Sequence, residues 1–296
     1  MKTINSQKDL LIRSISLKNS KQCMLFNTND TTLIIEKARE IKSGVVWLNE
    51  LGSGTDTVIS SIRPFTQLIV GKVNLNIPKE LNIRSFDIIF CPESGLVNQF
   101  RNAGITSYYY PNFFESDLYF SYDSNQERLY KTIFIGDVDT ISDEYKLFFE
   151  YTSKRNLIEL WGKSFQMIPE TSVIRKVYHG KVSKKDHMSI YNKSKIAINP
   201  RIDSNYNKRL FEITGCGALL ISEYSNYLDE LFKIGKEIIV YRSLDECIDI
   251  IKYYQMYPYE AQKIAEAGQK RTLKDHTYEV RIKKAAEILE RHLRYI

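Results

Sequence analysis

The sequence predicts an α/β protein built as two parallel-sheet units in tandem. Three observations carry that expectation. Apolar runs alternate with helical patterns, and strand, loop, helix repeated argues a parallel sheet with crossover connections. The chain has 296 residues, too long for one small core and suited to two domains of about 150 residues each. The alternation breaks over residues 112–128, which are acidic and turn-rich, and restarts at Lys131.

Residues 1–22 are polar and mixed, with Leu10-Leu11-Ile12 as a short strand or a turn of helix. Cys23-Met24-Leu25-Phe26 is the first clear strand. Asp30 or Thr31 caps a helix that runs to about residue 41. Residues 44–48 form the next strand and end in the glycine-bearing loop Glu50-Leu51-Gly52-Ser53-Gly54-Thr55. A helix over 57–62 stops at Arg63-Pro64, because the residue before a proline leaves the helical region. Residues 67–71 and 86–91 are strands, the second stopped by Pro92. Residues 93–103 are a helix closed by Gly104, and 107–110 a short strand before Pro111.

In the second half, strands are expected over 131–135, 157–162, 195–199, 218–221 and 237–241, with Gly136-Asp137 ending the first and Pro200 the third. Val177-Tyr178-His179-Gly180 follows a short loop. Helices are expected over 142–154, 184–192, from about 209 to Gly215 or Gly217, from 244 to about 254, over 259–274, and from about 278 to 292. Ser243 before Leu244-Asp245-Glu246 is a good N-cap and first turn. The last helix alternates Glu, Lys and Arg on its outer face. The two halves share an architecture without an obvious sequence repeat.

Composition narrows the function classes. Hydrophobic residues are 43% and charged residues 26%, ordinary for a soluble globular protein. No apolar run approaches the roughly 20 residues of a membrane span. Lys2 and Lys8 are not joined to an apolar core, so no signal peptide is read. The expected location is the cytoplasm. Peripheral contact at the inner face of the membrane is left open, although no amphipathic basic helix stands out. Cys23, Cys91, Cys216 and Cys247 show no CxxC spacing and the histidines no cluster with them, so no metal site is expected. A net charge of +6, from 42 basic and 36 acidic residues, fits an anionic ligand and does not demand nucleic acid.

One stretch concentrates the chemistry: Asn207-Lys208-Arg209-Leu210-Phe211-Glu212-Ile213-Thr214-Gly215-Cys216-Gly217-Ala218-Leu219-Leu220-Ile221-Ser222. Arg209 and Glu212, three residues apart, share one face of a helix. An arginine and exposed N–H groups at a helix N-terminus suit a phosphate. A glutamate one turn on can accept hydrogen bonds from sugar hydroxyls. Together they suit a nucleotide sugar. A surface ion pair beside a strand is the plainer reading of the same spacing.

The string resembles the donor-binding motif of bacterial GT-B glycosyltransferases. It is most similar to the group 1 glycosyltransferase C-terminal domain found in CgeB-like proteins. Further pieces extend the resemblance in order: Phe134-Ile135-Gly136, Leu160-Trp161-Gly162, Tyr178-His179-Gly180, residues 191–199, residues 235–241, Ala267-Gly268-Gln269-Lys270-Arg271, and His276-Thr277-Tyr278-Glu279-Val280-Arg281. It covers about residues 130–285. The first half is similar, far less specifically, to the Rossmann-like N-terminal half that usually binds the acceptor. The fold implied is GT-B: two Rossmann-like parallel-sheet domains facing across a cleft. Residues 1–122 would be the acceptor domain and 123–280 the donor domain, with a C-terminal helix, 281–296, packing back on the first.

The resemblance implies transfer of a sugar from a nucleotide-diphospho-sugar donor to an acceptor hydroxyl, in surface glycan or glycoconjugate synthesis. The acceptor would be a glycan, a lipid-linked saccharide or a protein. Glu212 would take the ribose hydroxyls. Arg209 would take the diphosphate, where a guanidinium fork suits phosphate oxygens, with Lys208 assisting. Many retaining members carry a second carboxylate eight residues earlier; Ser204 stands there, beside Asp203, which leaves the stereochemistry open. Asn205 and Tyr206, in the same loop, are candidates for sugar or base contacts. His179 is a candidate for lining the cleft, and Gly136 for close backbone approach to a phosphate. Gly215 and Gly217 are structural. Glu50, at a strand end, is the candidate catalytic base, ahead of Glu93 and Asp87. Its loop is not a P-loop, since no lysine follows the glycines. Members of this fold generally work without a metal, and no cofactor is implied besides the donor substrate.

The plainer readings are a solvated Lys208, an ordinary turn at 203–206, a packed His179, a tight turn at Gly136 and a loop carboxylate at Glu50. The alternative function is a non-catalytic nucleotide-sugar or glycan-binding protein of the same fold, for which Ser204 speaks. A nucleic-acid-binding protein has only the net charge in its favour and lacks an RNP, helix-turn-helix or basic arm. An oxidoreductase lacks GxGxxG after the first strand.

Overall fold

The computed structural model describes residues 23–26, 31–41, 44–49, 51, 54–73, 81–115, 128–136, 142–162, 168–200 and 206–294. The chain divides into two units, one of Met1–Pro111 with Glu279–Ile296 and one of Asn112–Tyr278. The breaks thus fall after Pro111 and Tyr278, against expected breaks after 122 and 280. Residues from Asn112 belong to the second unit because Phe114 is tied there: its N–H donates to the His276 carbonyl at 2.8 Å and its carbonyl accepts from Tyr278 N–H at 3.0 Å.

In the first unit β1 (Cys23–Phe26), β2 (Val45–Leu48), β3 (Leu68–Lys72), β4 (Ile88–Cys91) and β5 (Ser107–Tyr109) pair in sequential order, all parallel. β2 and β4 are buried at every position. Strands covered on both faces read as continuous apolar runs rather than alternating ones, which is why the sequence showed them. The helices α1 (Thr31–Ile41), α2 (Thr55–Ile62) and α3 (Ser94–Asn102) connect them. Ile34, Ala38, Ile59 and Ile62 pack with Val46, Ile69 and Ile89 on one face. On the other, the Trp47 and Phe90 rings stack at 4.8 Å and Tyr110 lies against both.

In the second unit β6 (Tyr130–Ile135), β7 (Glu159–Trp161), β8 (Ser194–Asn199), β9 (Leu219–Glu223) and β10 (Ile239–Tyr241) form a parallel sheet in the order β10-β9-β8-β6-β7. Its helices are α4 (Asp143–Lys154), α5 (Lys184–Asn192), α6 (Tyr206–Gly215), α7 (Asn226–Leu231), α8 (Leu244–Met256) and α9 (Pro258–Asp275). Phe134, Phe149, Leu160, Ile198, Ile221 and Ile251 belong to its core. Ser183 caps α5 in a reciprocal box with Asp186, and Ser243 caps α8 by accepting from Glu246 N–H at 3.2 Å. Tyr178 forms an isolated parallel bridge with Leu160 after a 3-10 turn over Val173–Val177, where the sequence suggested only a piece after a loop.

The strand order carries the functional consequence. β6 has β7 on one side and β8 on the other, so the winding reverses between β6 and β8. In open α/β sheets a ligand crevice forms outside the carboxyl ends of the strands at such a reversal.

The chain then returns to the first unit in α10 (Tyr278–Leu293). Tyr278, Ile282, Ala285 and Leu289 are buried, spaced three or four residues apart as one helix stripe. His292 Nε2 lies 2.9 Å from the Tyr108 hydroxyl, on the Phe90 face of the sheet.

Candidate functional site

The site is built on α6. The helix starts at Tyr206, ahead of the expected start near Arg209, so Lys208 and Arg209 stand in its first turn. The first N–H groups of a helix have no partner inside it and carry the positive end of its dipole. Leu210, Phe211 and Ile213 anchor the helix in the core. Gly215 ends it, and Gly217, at φ +73°, allows the left-handed turn into β9.

Arg209 and Glu212 are each only 5% exposed, which excludes the reading of a solvated surface ion pair. Nη1 of Arg209 donates to Asn199 Oδ1 at 3.3 Å, and its guanidinium carbon lies 5.8 Å from the Phe134 ring centre. Asn199 is the last residue of β8 and fully buried. Phe134 is the penultimate residue of β6. Arg209 therefore sits where β6 and β8 end, at the reversal of the winding. A buried guanidinium is costly unless it is partnered, and Asn199 and the ring face meet part of that demand.

Gly136 follows β6 directly and donates its N–H to the Trp161 carbonyl at 3.0 Å. A Cβ at this position would lie 2.5 Å from Phe134 Cζ. The residue is a glycine because the ring beneath Arg209 turns back against it.

Lys208 Nζ is 3.7 Å from Glu212 Oε1 and 3.6 Å from Glu115 Oε1. Glu115 lies in the stretch expected to be a linker. Asn199 and Glu115 are the two site residues that sequence reasoning did not name. Asn199 had a faint signal, a polar residue closing an apolar run, whereas Glu115 had none.

His179 stands apart from this cluster in its contacts. Its ring stacks on Trp161 at 4.4 Å, and Nε2 lies 2.8 Å from Glu159 Oε2. Glu50, Ser53, Asp203, Ser204 and Asn205, and the side chain of Tyr206, lie outside the described residues. Of the weaker base candidates, Asp87 accepts from Arg63 Nη1 and from Ile69 N–H, each at 2.6 Å, and so staples β3 to the loop before β4. Glu93 occupies the N-cap position of α3. Among the described residues no three His, Cys, Asp or Glu side chains are grouped to hold a metal, and no helix is long and apolar enough to cross a membrane. Cys91, Cys216 and Cys247 are free and buried. Burial pushes the Cys91 thiol up to about 12 against the pull of Arg101, which keeps it protonated and unreactive.

Residues 146–288 match a family profile described as glycosyl transferase-like. No curated protein matches the chain by sequence. Solved structures resemble it along most of its length. A glycosyltransferase from Rickettsia africae ESF-5 shares 13% identity at a TM-score of 0.69, covering 98% of this chain and 95% of that one. Sucrose-phosphate synthase from Thermosynechococcus elongatus shares 10% identity at 0.64, covering 90% and 78%. Anabaena HepE, solved in complex with UDP, shares 12% identity at 0.63, covering 88% and 82%. The fold of the chain is GT-B.

Proposed function

We propose that this chain is a glycosyltransferase that moves a sugar from a nucleotide-diphospho-sugar donor to an acceptor hydroxyl. The observation that carries the reading is the position of Arg209, buried at the carboxyl ends of β6 and β8 in the first turn of α6, with Lys208 and Glu212 on the same helix. The surrounding stretch is the glycosyl transferase-like one. HepE, of the same fold, has been solved with UDP and with UDP-glucose, which favours a nucleotide sugar here.

The residues divide the work. Arg209 and the first N–H groups of α6 take the diphosphate. Held in place before the reaction, they stabilise the charge that grows on the leaving group as the glycosidic bond breaks. Two cations and a helix dipole can supply that stabilisation without a metal. Lys208 adds a point charge, and Glu212 accepts from the ribose hydroxyls. Gly136 lets the donor approach the backbone, and His179, Asn205 and Tyr206 complete the donor surface. Glu50 takes the proton of the acceptor hydroxyl. The acceptor belongs to a surface glycan or glycoconjugate, and the enzyme works in the cytoplasm as a relative of the CgeB-like group. Ser204, where many retaining relatives carry a carboxylate, supports a second reading, a nucleotide-sugar-binding protein of the same fold without transfer.

A thermal-shift panel with UDP, GDP, ADP, dTDP and CMP on wild type and Glu212→Gln tests the donor site. A ligand at 100 times its Kd stabilises by about 2.7 kcal/mol. The expected result is a shift with one nucleotide that collapses in the variant. No shift in wild type would sink the reading. Release of nucleoside diphosphate from the matching nucleotide sugar then separates an enzyme from a binding protein.

A further inference from the structure

Lys208 stands between two carboxylates at nearly equal distances, 3.6 Å to Glu115 and 3.7 Å to Glu212. The two carboxylate side chains are 10% and 6% exposed, and that of Lys208 is 31% exposed. Charge-assisted N–H···O bonds close to about 2.7–2.9 Å. The ammonium is therefore shared between the pair rather than committed to either. A shared cation at the exposed edge of two buried acids can be drawn off by a stronger anion, and a diphosphate brings more charge and more acceptor oxygens than one carboxylate.

The backbone next to Glu115 is held in place. Glu115 adjoins Phe114, whose backbone is hydrogen-bonded on both sides, to His276 and to Tyr278. The Phe114 ring is buried, and it lies where a side chain on Gly215, the last residue of α6, would stand. The backbone that leads into Glu115 is thus held against the helix that carries Lys208 in its first turn.

We propose, resting on the donor-site reading above, that Glu115 competes with the donor diphosphate for Lys208. In the empty protein Glu115 and Glu212 hold the ammonium together. When a nucleoside diphosphate enters, Lys208 leaves Glu115 and turns to the phosphates. Glu115 thereby sets the affinity for the diphosphate and, after transfer, eases release of the nucleoside diphosphate product. It is a positioning residue, acting through Lys208 and touching neither the sugar nor the reacting atoms.

The test is calorimetric titration of the full chain with UDP, GDP, ADP and dTDP, on wild type, E115Q, K208M and the double variant. E115Q is expected to bind the accepted nucleoside diphosphate more tightly, on the order of tenfold, since one competing charge 3.6 Å from the ammonium is gone. The matching nucleoside, which lacks phosphates, is expected to bind both proteins alike. In the K208M background the E115Q effect is expected to vanish. Glu115→Asp, with its carboxylate drawn back, is expected to fall between wild type and E115Q and serves where E115Q folds poorly. In turnover, E115Q is expected to lower KM for the donor and kcat together. An E115Q affinity equal to or weaker than wild type overturns the proposal, as does a gain that persists with K208M. A wild type that binds none of the four takes down the donor-site reading and this inference with it, whereas a wild type that binds one, with E115Q identical to it, takes down this inference alone.

Discussion

The ring of Phe114 occupies the space that a side chain on Gly215 would need. A Cβ on Gly215 would lie 2.3 Å from Phe114 Cδ2 and Cε2. Phe114 is only 2% exposed and hydrogen-bonded through its backbone, so the ring has little room to retreat. Gly215→Ala would gain only part of the roughly 1 kcal/mol of interior helix propensity, because the residue ends the helix, and lose about 1–3 kcal/mol to overpacking. The expected outcome is a net loss in urea unfolding. Adding Phe114→Leu should recover part of that loss.

Arg209→Lys keeps the charge and discards the planar fork. The lysine cannot hold Asn199 and present a second donor to a phosphate at the same time. A hydrogen bond to a charged group contributes about 1.5–3 kcal/mol. Nucleoside-diphosphate affinity, measured by calorimetry, is expected to fall about tenfold or more. The thermal midpoint should drop by a few degrees.

Alkaline pH should loosen the fold through its buried thiols. Burial raises the Cys91 thiol from 9.0 to about 12. It raises Cys216 and Cys247 further, with Glu212 and Glu246 adding to the effect. Unfolded thiols release their protons near pH 9, while the folded ones keep them. Above that pH the unfolded state binds fewer protons than the native state, so unfolding free energy falls as pH rises. Each such group contributes about 1.4 kcal/mol per pH unit in that window. The urea midpoint should hold to about pH 8 and decline steadily above 9. A midpoint flat to pH 10.5 would contradict this. A thiol reagent at pH 8 should modify the native protein far more slowly than the unfolded one.

Ser243→Ala removes the side-chain acceptor of the Glu246 N–H at the start of α8. Glu246 Oε2 in turn accepts from Arg242 N–H at 2.6 Å, so the two residues tie the helix entrance reciprocally. The loss is expected to be about 1 kcal/mol, read from the urea midpoint, with nucleotide affinity unchanged. Ser243→Asn should restore most of it.

What the sequence made legible follows from how the strands are buried. Val45–Leu48 and Leu219–Ile221 lie inside parallel sheets, so each appears as an unbroken apolar run and its strand falls within a residue or two of the expected place. The placing of Arg209 and Glu212 on one helix was legible as well, from their spacing, whereas their contacts, to Asn199 and to Lys208, were not. The short helix α7 escaped notice. Its six residues give less than two turns of periodicity, although Tyr227, Leu228 and Leu231 are buried.

The rest was hidden because it depends on contacts between distant positions. Glu115 reaches Lys208 across most of the second unit, and an acidic turn-rich segment gives no hint of a packed ring and a paired carboxylate. Asn199 could be taken for an ordinary strand end until β8 was known to lie beside β6. The reversal of winding is a property of strand order, which local patterns do not encode.

The pairing of Phe114 with Thr277 bears on how the protein is made. It fastens together the two ends of residues 112–278, so the second unit is an insertion whose termini meet. That unit is contiguous in the chain and takes in no residue beyond 278. The first unit begins earlier in the chain and is completed later, because Glu279–Ile296 belongs to it. Domains generally fold as units as they emerge. The unit that begins first along the chain is thus the one completed last, and a chain cut after Tyr278 would keep all of the second unit and lack the closing segment of the first.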